Sequence, residues 1–240
     1  MFLDRFHSVQ NGFVRITPVQ ASQFAKEIAG DFNPIHDPDA RRFCVPGDLL
    51  FALVLSRFGL SERMSFCFKA LLGKDVGLAF HAPSEERIEV ADASGKVYLE
   101  VDRSGDTVRD PEVIEDFTRC YVSASGKNFP HTLQPLMESK GVMFNPERPM
   151  VMYESMSLAL DSLAITSPDL ELESADLQDH GKRGQVFLNY RLLSGGQVKG
   201  EVTKSLVLSG LRPYNADDMA KVLDHFYQLK ARDVDYGSTV

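Results

Sequence analysis

Gly30-Asp31-Phe32-Asn33-Pro34-Ile35-His36, with the apolar run Pro46-Gly47-Asp48-Leu49-Leu50-Phe51-Ala52-Leu53-Val54-Leu55 downstream, decides how the chain folds. The first stretch sets a carboxylate and an imidazole on a tight turn braced by Pro34. The second has too many consecutive apolar residues for a surface helix, so it predicts a helix buried on all sides. Its amino end is Pro46-Gly47. A carboxylate, an imidazole and a helix amino terminus are the groups that acid–base chemistry beside a carbonyl needs. From the turn alone the plainer reading is the favoured one. Asp and Asn bond their own backbone, Pro fixes φ, and His36 satisfies a buried carbonyl.

Upstream of this stretch, Phe13 to Thr17 reads as a short strand. Ala21, Phe24, Ala25 and Ile28 then share one helical face, with Thr17-Pro18 as the start and Gly30 as the left-handed stop. Downstream, the long helix runs from Asp48 to Phe58 and closes at Gly59. Short alternating segments follow at 65–69, 76–80, 87–90 and 97–101, with turns at Gly73-Lys74-Asp75, Ser94-Gly95 and Ser104-Gly105-Asp106. That is an antiparallel meander, so the layout is α+β.

The second half repeats the order as an internal repeat of about 100 residues. Val113 to Ser125 is helical or mixed, and Gly126-Lys127-Asn128-Phe129-Pro130 lines up with Gly30 to Pro34. Lys127 replaces the Asp and Thr132 falls where the His would be, so this half lacks the acid–base pair. An apolar-rich helix is predicted over Met150 to Ile165. Strands follow at 170–177, 185–193 and 197–208, with Ser194-Gly195-Gly196 as a hairpin turn. Asn215 to Arg232 reads as a surface helix with an Asn cap, two early acids and an apolar stripe of Met219, Val222, Leu223, Phe226 and Leu229. The boundary between halves is placed at residues 106–111, giving units 1–108 and 109–240.

Composition narrows the function classes. The 240 residues are 43% hydrophobic and 25% charged, with a formal net charge of -8. No basic stripe suits a nucleic-acid surface. Cys44, Cys67 and Cys120 are not at metal-ligand spacing and read as buried free thiols. Met1-Phe2-Leu3-Asp4-Arg5 lacks a signal peptide's basic start and apolar core. The longest apolar run is far short of the roughly 20 residues that span a bilayer. The expectation is a cytoplasmic protein without membrane, nucleic-acid or metal partners.

Gly30 through His36, with Asp37-Pro38 and Ala40 after it, resembles the motif of the MaoC-like hydratases and dehydratases of the hot-dog fold, including (R)-specific enoyl-CoA hydratases. Ala29 stands where that motif has Ser. Ile16-Thr17 and Phe24-Ala25 upstream, and Phe66-Cys67-Phe68-Lys69 and Gly73-Lys74-Asp75 downstream, extend the resemblance over residues 13 to 105. The whole chain also resembles an uncharacterised bacterial double hot-dog family. The resemblance implies an α+β double hot-dog, with two units that each wrap a long helix in an antiparallel sheet. It implies hydration of enoyl thioesters, or dehydration of (R)-3-hydroxyacyl thioesters, on CoA or acyl-carrier protein. No cofactor is implied beyond the substrate's own CoA or pantetheine, which enters between the halves.

By the same resemblance Asp31 is the acid/base, His36 its partner, and the Gly47 N–H binds the thioester oxygen. Asn33, Asp48, Arg41 and Arg42 are the substrate-binding candidates, the two arginines as partners for a phosphate. Homodimerisation of the double unit is a further expectation. Three departures bear on activity: Pro46 stands where the family has His, the charge of Asp48 lies close to the developing oxyanion, and the 37–46 loop is several residues shorter than the family's. A thioesterase using Asp31 to activate water, or a non-catalytic acyl-binding protein, are the alternatives.

Overall fold

The computed structural model describes residues 2–237; Met1 and residues 238–240, the outer ends of the two expected units, lie outside the described residues. The α+β layout is present. Ten strands form one antiparallel sheet in the order β1-β2-β4-β5-β6-β3-β8-β11-β10-β9. They are β1 (Ser8–Gln10), β2 (Phe13–Arg15), β3 (Leu60–Phe68), β4 (Gly77–Ser84), β5 (Arg87–Asp92), β6 (Val97–Val108), β8 (Val151–Leu160), β9 (Pro168–Asp179), β10 (Arg183–Ser194) and β11 (Gln197–Ser209). β7 (Val142–Met143) and β12 (Arg212–Pro213) make a separate two-stranded ladder. The halves join where β3 pairs with β8, with Ser65 opposite Ser157. Outward from that seam the order reads β3-β6-β5-β4 on one side and β8-β11-β10-β9 on the other, so the two halves run the same meander. Neither seam strand is left as an exposed edge.

Local chemistry accounts for the helices. α1 (Pro18–Gln23) starts with a capping box: the Thr17 hydroxyl accepts from the Gln20 N–H, and the Gln20 side chain accepts from the Thr17 N–H. It widens into a π-helical turn over Phe24–Ala29 and stops at Gly30, whose φ of 66° is the left-handed cap that glycine adopts without strain. α2 (Gly47–Phe58) is the predicted buried helix. Leu49 through Leu55 are each 2% exposed or less. The ring of Phe51 shows why every side is apolar. It packs on Phe66 of β3 at 5.1 Å and on Tyr121 of α3 (Pro111–Gly126) at 4.6 Å. The helix is thus held between the sheet and a helix of the other half. α4 (Asn128–His131), α5 (Leu133–Ser139) and α6 (Ala216–Gly237) complete the set.

Three expectations are corrected. Residues 151–160, predicted helical within Met150 to Ile165, form strand β8. Met156, Leu158 and Leu160 are its buried positions, so the periodicity is two and the Met/Leu content had suggested a helix by composition alone. The second half therefore has no counterpart of α2 at that place. The turn predicted at Ser104-Gly105-Asp106 is a bulge inside β6. The register slips by one residue opposite Ser61 to Arg63, and Gly105, at φ 79°, takes the backbone past Glu62. Of the three free thiols only Cys44 is buried; Cys67 and Cys120 are half-buried. Among the described residues no helix is long and apolar enough to cross a membrane.

Candidate active site

The loop between α1 and α2 is tied at its base before it presents anything. The Cys44 N–H donates to the Ile35 carbonyl at 2.9 Å, and His36 Nδ1 donates to the Cys44 carbonyl at 2.7 Å. Lys26 reaches across from the π-helical turn to Asp37 at 2.9 Å. The Asn33 side chain accepts from the Ile35 N–H at 3.2 Å and so caps the short 3-10 turn Pro34–His36. Asp31 Oδ1 accepts from the Asn33 N–H at 2.9 Å, which turns Oδ2 toward His36 Nε2 at 3.5 Å. The loop thus fixes the His36 ring and the Asp31 carboxylate through its own backbone.

With Nδ1–H committed to a carbonyl, Nε2 is the nitrogen that can exchange a proton with Asp31. Burial works against the charge on both groups. It is outweighed for Asp31 by the bond and charge of His36, the Asn33 N–H and the charge of Lys204, which hold its carboxyl below the usual value. For His36, burial is outweighed by Asp31, the Cys44 carbonyl and the charge of Asp48, which hold the imidazole above its usual value. Both shifts favour the proton on His36, as a carboxylate beside an imidazolium.

Asp31, Asn33, His36, Gly47 and Asp48 line one cavity of about 870 Å³. Gly47 opens α2, where the first-turn N–H groups have no intrahelical acceptor. A Cβ there would come 3.1 Å from the Phe68 ring and 3.5 Å from Tyr153 Cβ, so the position admits no side chain without displacing the wall. Arg41 and Arg42 are exposed and are not among the lining residues, whereas Lys69 is, paired with Glu100 at 2.8 Å. Lys127 and Thr132 line a separate pocket of about 340 Å³ with His131 and Tyr190.

The sequence reading missed the residues that the second half adds to this cavity: Lys204 of β11, Ser125 of α3 and Tyr153 of β8. Lys204 is 4% exposed. Its ammonium donates to Ser125 Oγ, whose own proton goes to Asp48 Oδ2 at 2.6 Å. It also lies 4.0 Å over the Tyr153 ring. Burial pushes the Asp48 carboxyl up, against the pull of Lys204 and Ser125, and pushes the Lys204 ammonium down, against Asp48 and Asp31. A signal for Lys204 was present. In Val202-Thr203-Lys204-Ser205-Leu206 the alternation puts a lysine on the apolar face.

A search of the curated proteins finds no match to the chain. Among solved structures, an acyl-CoA thioesterase II, TesB2, from Mycobacterium marinum is 8% identical, with 90% of this chain and 99% of that one covered and a TM-score of 0.43. A MaoC-like dehydratase is 10% identical over 84% of this chain and 97% of its own, at a TM-score of 0.44. A tesB protein from Mycobacterium avium subs paratuberculosis is 10% identical over 70% and 89%, at 0.41. At such identities and TM-scores these likenesses carry no argument about what this chain does. A family profile, in contrast, matches residues 1–217, and by it the chain belongs to the family described as "Protein of unknown function (DUF3581)".

Proposed function

We propose that the protein processes acyl thioesters, and that within this class it hydrates enoyl thioesters or runs the reverse dehydration of (R)-3-hydroxyacyl thioesters. The observation that carries the reading is the Asp31–His36 pair, oriented by the Asn33 N–H and the Cys44 carbonyl, in a cavity that also holds the amino end of α2. The resemblance of Gly30 through His36 to the MaoC-like motif supports it.

In the hydration direction a water lies against the Asp31 carboxylate and the His36 imidazolium. Asp31 takes one proton as the oxygen adds to the β carbon, and the thioester becomes an enolate. The enolate oxygen faces the N–H groups at Gly47, where the helix dipole favours negative charge. The proton then passes to the α carbon, so that one water has been added and the pair is restored. Such a step needs a carboxylate base and a cationic partner, and the direction of both shifts favours these charge states.

We read the chain as a double hot-dog, units 1–108 and 109–240, located in the cytoplasm. The mirrored strand order about the β3–β8 seam supports the two-unit reading. The test of function follows the enoyl-thioester absorbance with crotonyl-CoA and longer homologues, with free thiol assayed alongside, for wild type and Asp31→Asn. Loss of the enoyl band without thiol release, abolished in the variant, is the expected result. Thiol release would make the protein a thioesterase. No change in either assay across chain lengths would leave an acyl-binding protein.

A further inference from the structure

We propose that Lys204, held by Ser125 and Asp48, is the cation that faces the thioester oxygen, so that the second half of the chain completes the oxyanion site of the first. This rests on the acyl-thioester reading above.

Asp48 follows Gly47 directly, and alone its carboxylate would repel an enolate oxygen bound at the start of α2. The structure places a counter-charge there. Lys204 Nζ donates to Ser125 Oγ, and the Ser125 hydroxyl donates to Asp48 at 2.6 Å. The ammonium sits 4.0 Å over the ring of Tyr153, whose Cβ is 3.5 Å from where a Gly47 side chain would begin. Gly47, Asp48, Ser125, Tyr153 and Lys204 all line the cavity. Ser125 accepts one of the three ammonium protons and the Tyr153 ring faces the ammonium from another side, which leaves donor capacity for a ligand oxygen.

A second observation separates a ligand site from a structural ion network. Asp48, 6% exposed, and Asn128, 5% exposed, both line the cavity, and Asp48 Oδ1 and Asn128 Nδ2 are buried with no hydrogen-bond partner. A network serving stability alone satisfies its buried polar atoms. The titratable groups facing Lys204 are Asp48 from α2 and Asp31 from the motif loop, with the rings of Tyr121 and Tyr153 beside it and His36 beyond Asp31. Two acids and two basic groups thus meet at this end of the cavity.

Acetoacetyl-CoA is the probe, because its enolate absorbs where the keto form does not. Its ionisation is titrated on the full-length wild type, Lys204→Met and Asp48→Asn, with folding checked by thermal melting. The wild type is expected to lower the probe's apparent pKa relative to free solution. Lys204→Met is expected to raise the bound value by about one pH unit or more, and Asp48→Asn to lower it. Loss of packing alone does not produce opposite signs. Should Lys204→Met not fold, Lys204→Gln decides by the same rise.

An unchanged value in Lys204→Met would overturn the role of Lys204, whatever Asp48→Asn shows. If Asp31→Asn still abolishes crotonyl-CoA turnover in that case, the acyl-thioester reading stands without it. If the wild type neither binds acetoacetyl-CoA nor turns over crotonyl-CoA, both are overturned together.

Discussion

Gly126 lies directly against the carbonyl of Ala29. A Cβ built on Gly126 falls inside contact distance of the Ala29 oxygen, 2.6 Å from its carbonyl carbon and 3.2 Å from the Asp31 nitrogen. The end of α3 thus rests on the backbone that begins the acid–base motif. Alanine is the better helix former by about 1 kcal/mol. The atoms it would strike are backbone, however, and cannot rotate away. Gly126→Ala is expected to cost about 3 kcal/mol and to displace Asp31. Gly30→Ala makes the contrast. Its φ is 66° but nothing lies within 4 Å of the added carbon, so only backbone strain of about 1 kcal/mol is expected. Urea midpoints of the two variants check the ranking, and wild-type stability in Gly126→Ala would disprove the close approach.

The Asp31–His36 pair has a pH signature with two limbs. Asp31 is held below the ordinary 3.8, so its contribution to stability is present above that value and is lost as pH falls through the lower, folded value. His36 is held above 6.5, so its contribution is full below 6.5 and is lost as pH rises through the higher, folded value. The stability difference between wild type and Asp31→Asn is therefore expected to be largest between these two ordinary values and to shrink on either side. Melting temperatures from pH 3 to pH 9, about the span that brackets both groups, check it. Turnover should share the limbs, and Asp31→Asn should lower kcat by about 10²–10⁴-fold. A difference that is flat across pH would show that the two groups do not titrate as a pair.

Local chemistry made half of this site legible. Thr17-Pro18, Gly30 and Pro34 each fix the backbone through their own conformational limits, so the helix, its stop and the turn could be read in order. The α2 run could be read because its length and continuous apolarity leave few alternatives. What could not be read is non-local. Nothing near Ser65 says that it pairs with Ser157, or that α3 covers Phe51. Met152, Met156, Leu158 and Leu160 suit a helix in composition, and only the sheet they join enforces their period of two. Lys204 was visible as a lysine on an apolar face. Its meaning depended on Asp48 and Ser125, which are distant in sequence.

Asp48 and Lys204 should be energetically coupled through Ser125. Lys204→Met leaves a buried carboxylate without its counter-charge and is expected to cost about 3 kcal/mol at neutral pH. Adding Asp48→Asn removes the charge that was stranded, so the double variant should recover much of that loss, with an interaction energy of about 1–3 kcal/mol. A double-mutant cycle of denaturant midpoints, with Ser125→Ala as the bridge control, measures it. Additive costs would mean that the two charges do not sense each other, and the compensation of Asp48 would have to be abandoned.

The last expectation concerns α6, which closes one side of the cavity with Val222 and Phe226. The Phe226 ring stands edge-on to Phe32 at 5.7 Å and to Phe129 at 5.5 Å. Phe32 follows Asp31, and Phe129 belongs to the corresponding stretch of the second half, so one side chain holds both loops. The helix start is fixed separately by the Asn215 side chain, which accepts from the Asp218 N–H at 3.0 Å, and by the Arg212–Asp218 pair. Phe226→Ala should thus free the middle of α6 while its first turn stays in place. Because the ring is 7% exposed, the loss is expected near 3 kcal/mol. Hydrogen exchange should rise in α6 and around Phe32, with the α2 amides unchanged. Unchanged exchange at Phe32 would mean that the motif loop keeps its position by its own bonds to Asn33 and Cys44 alone.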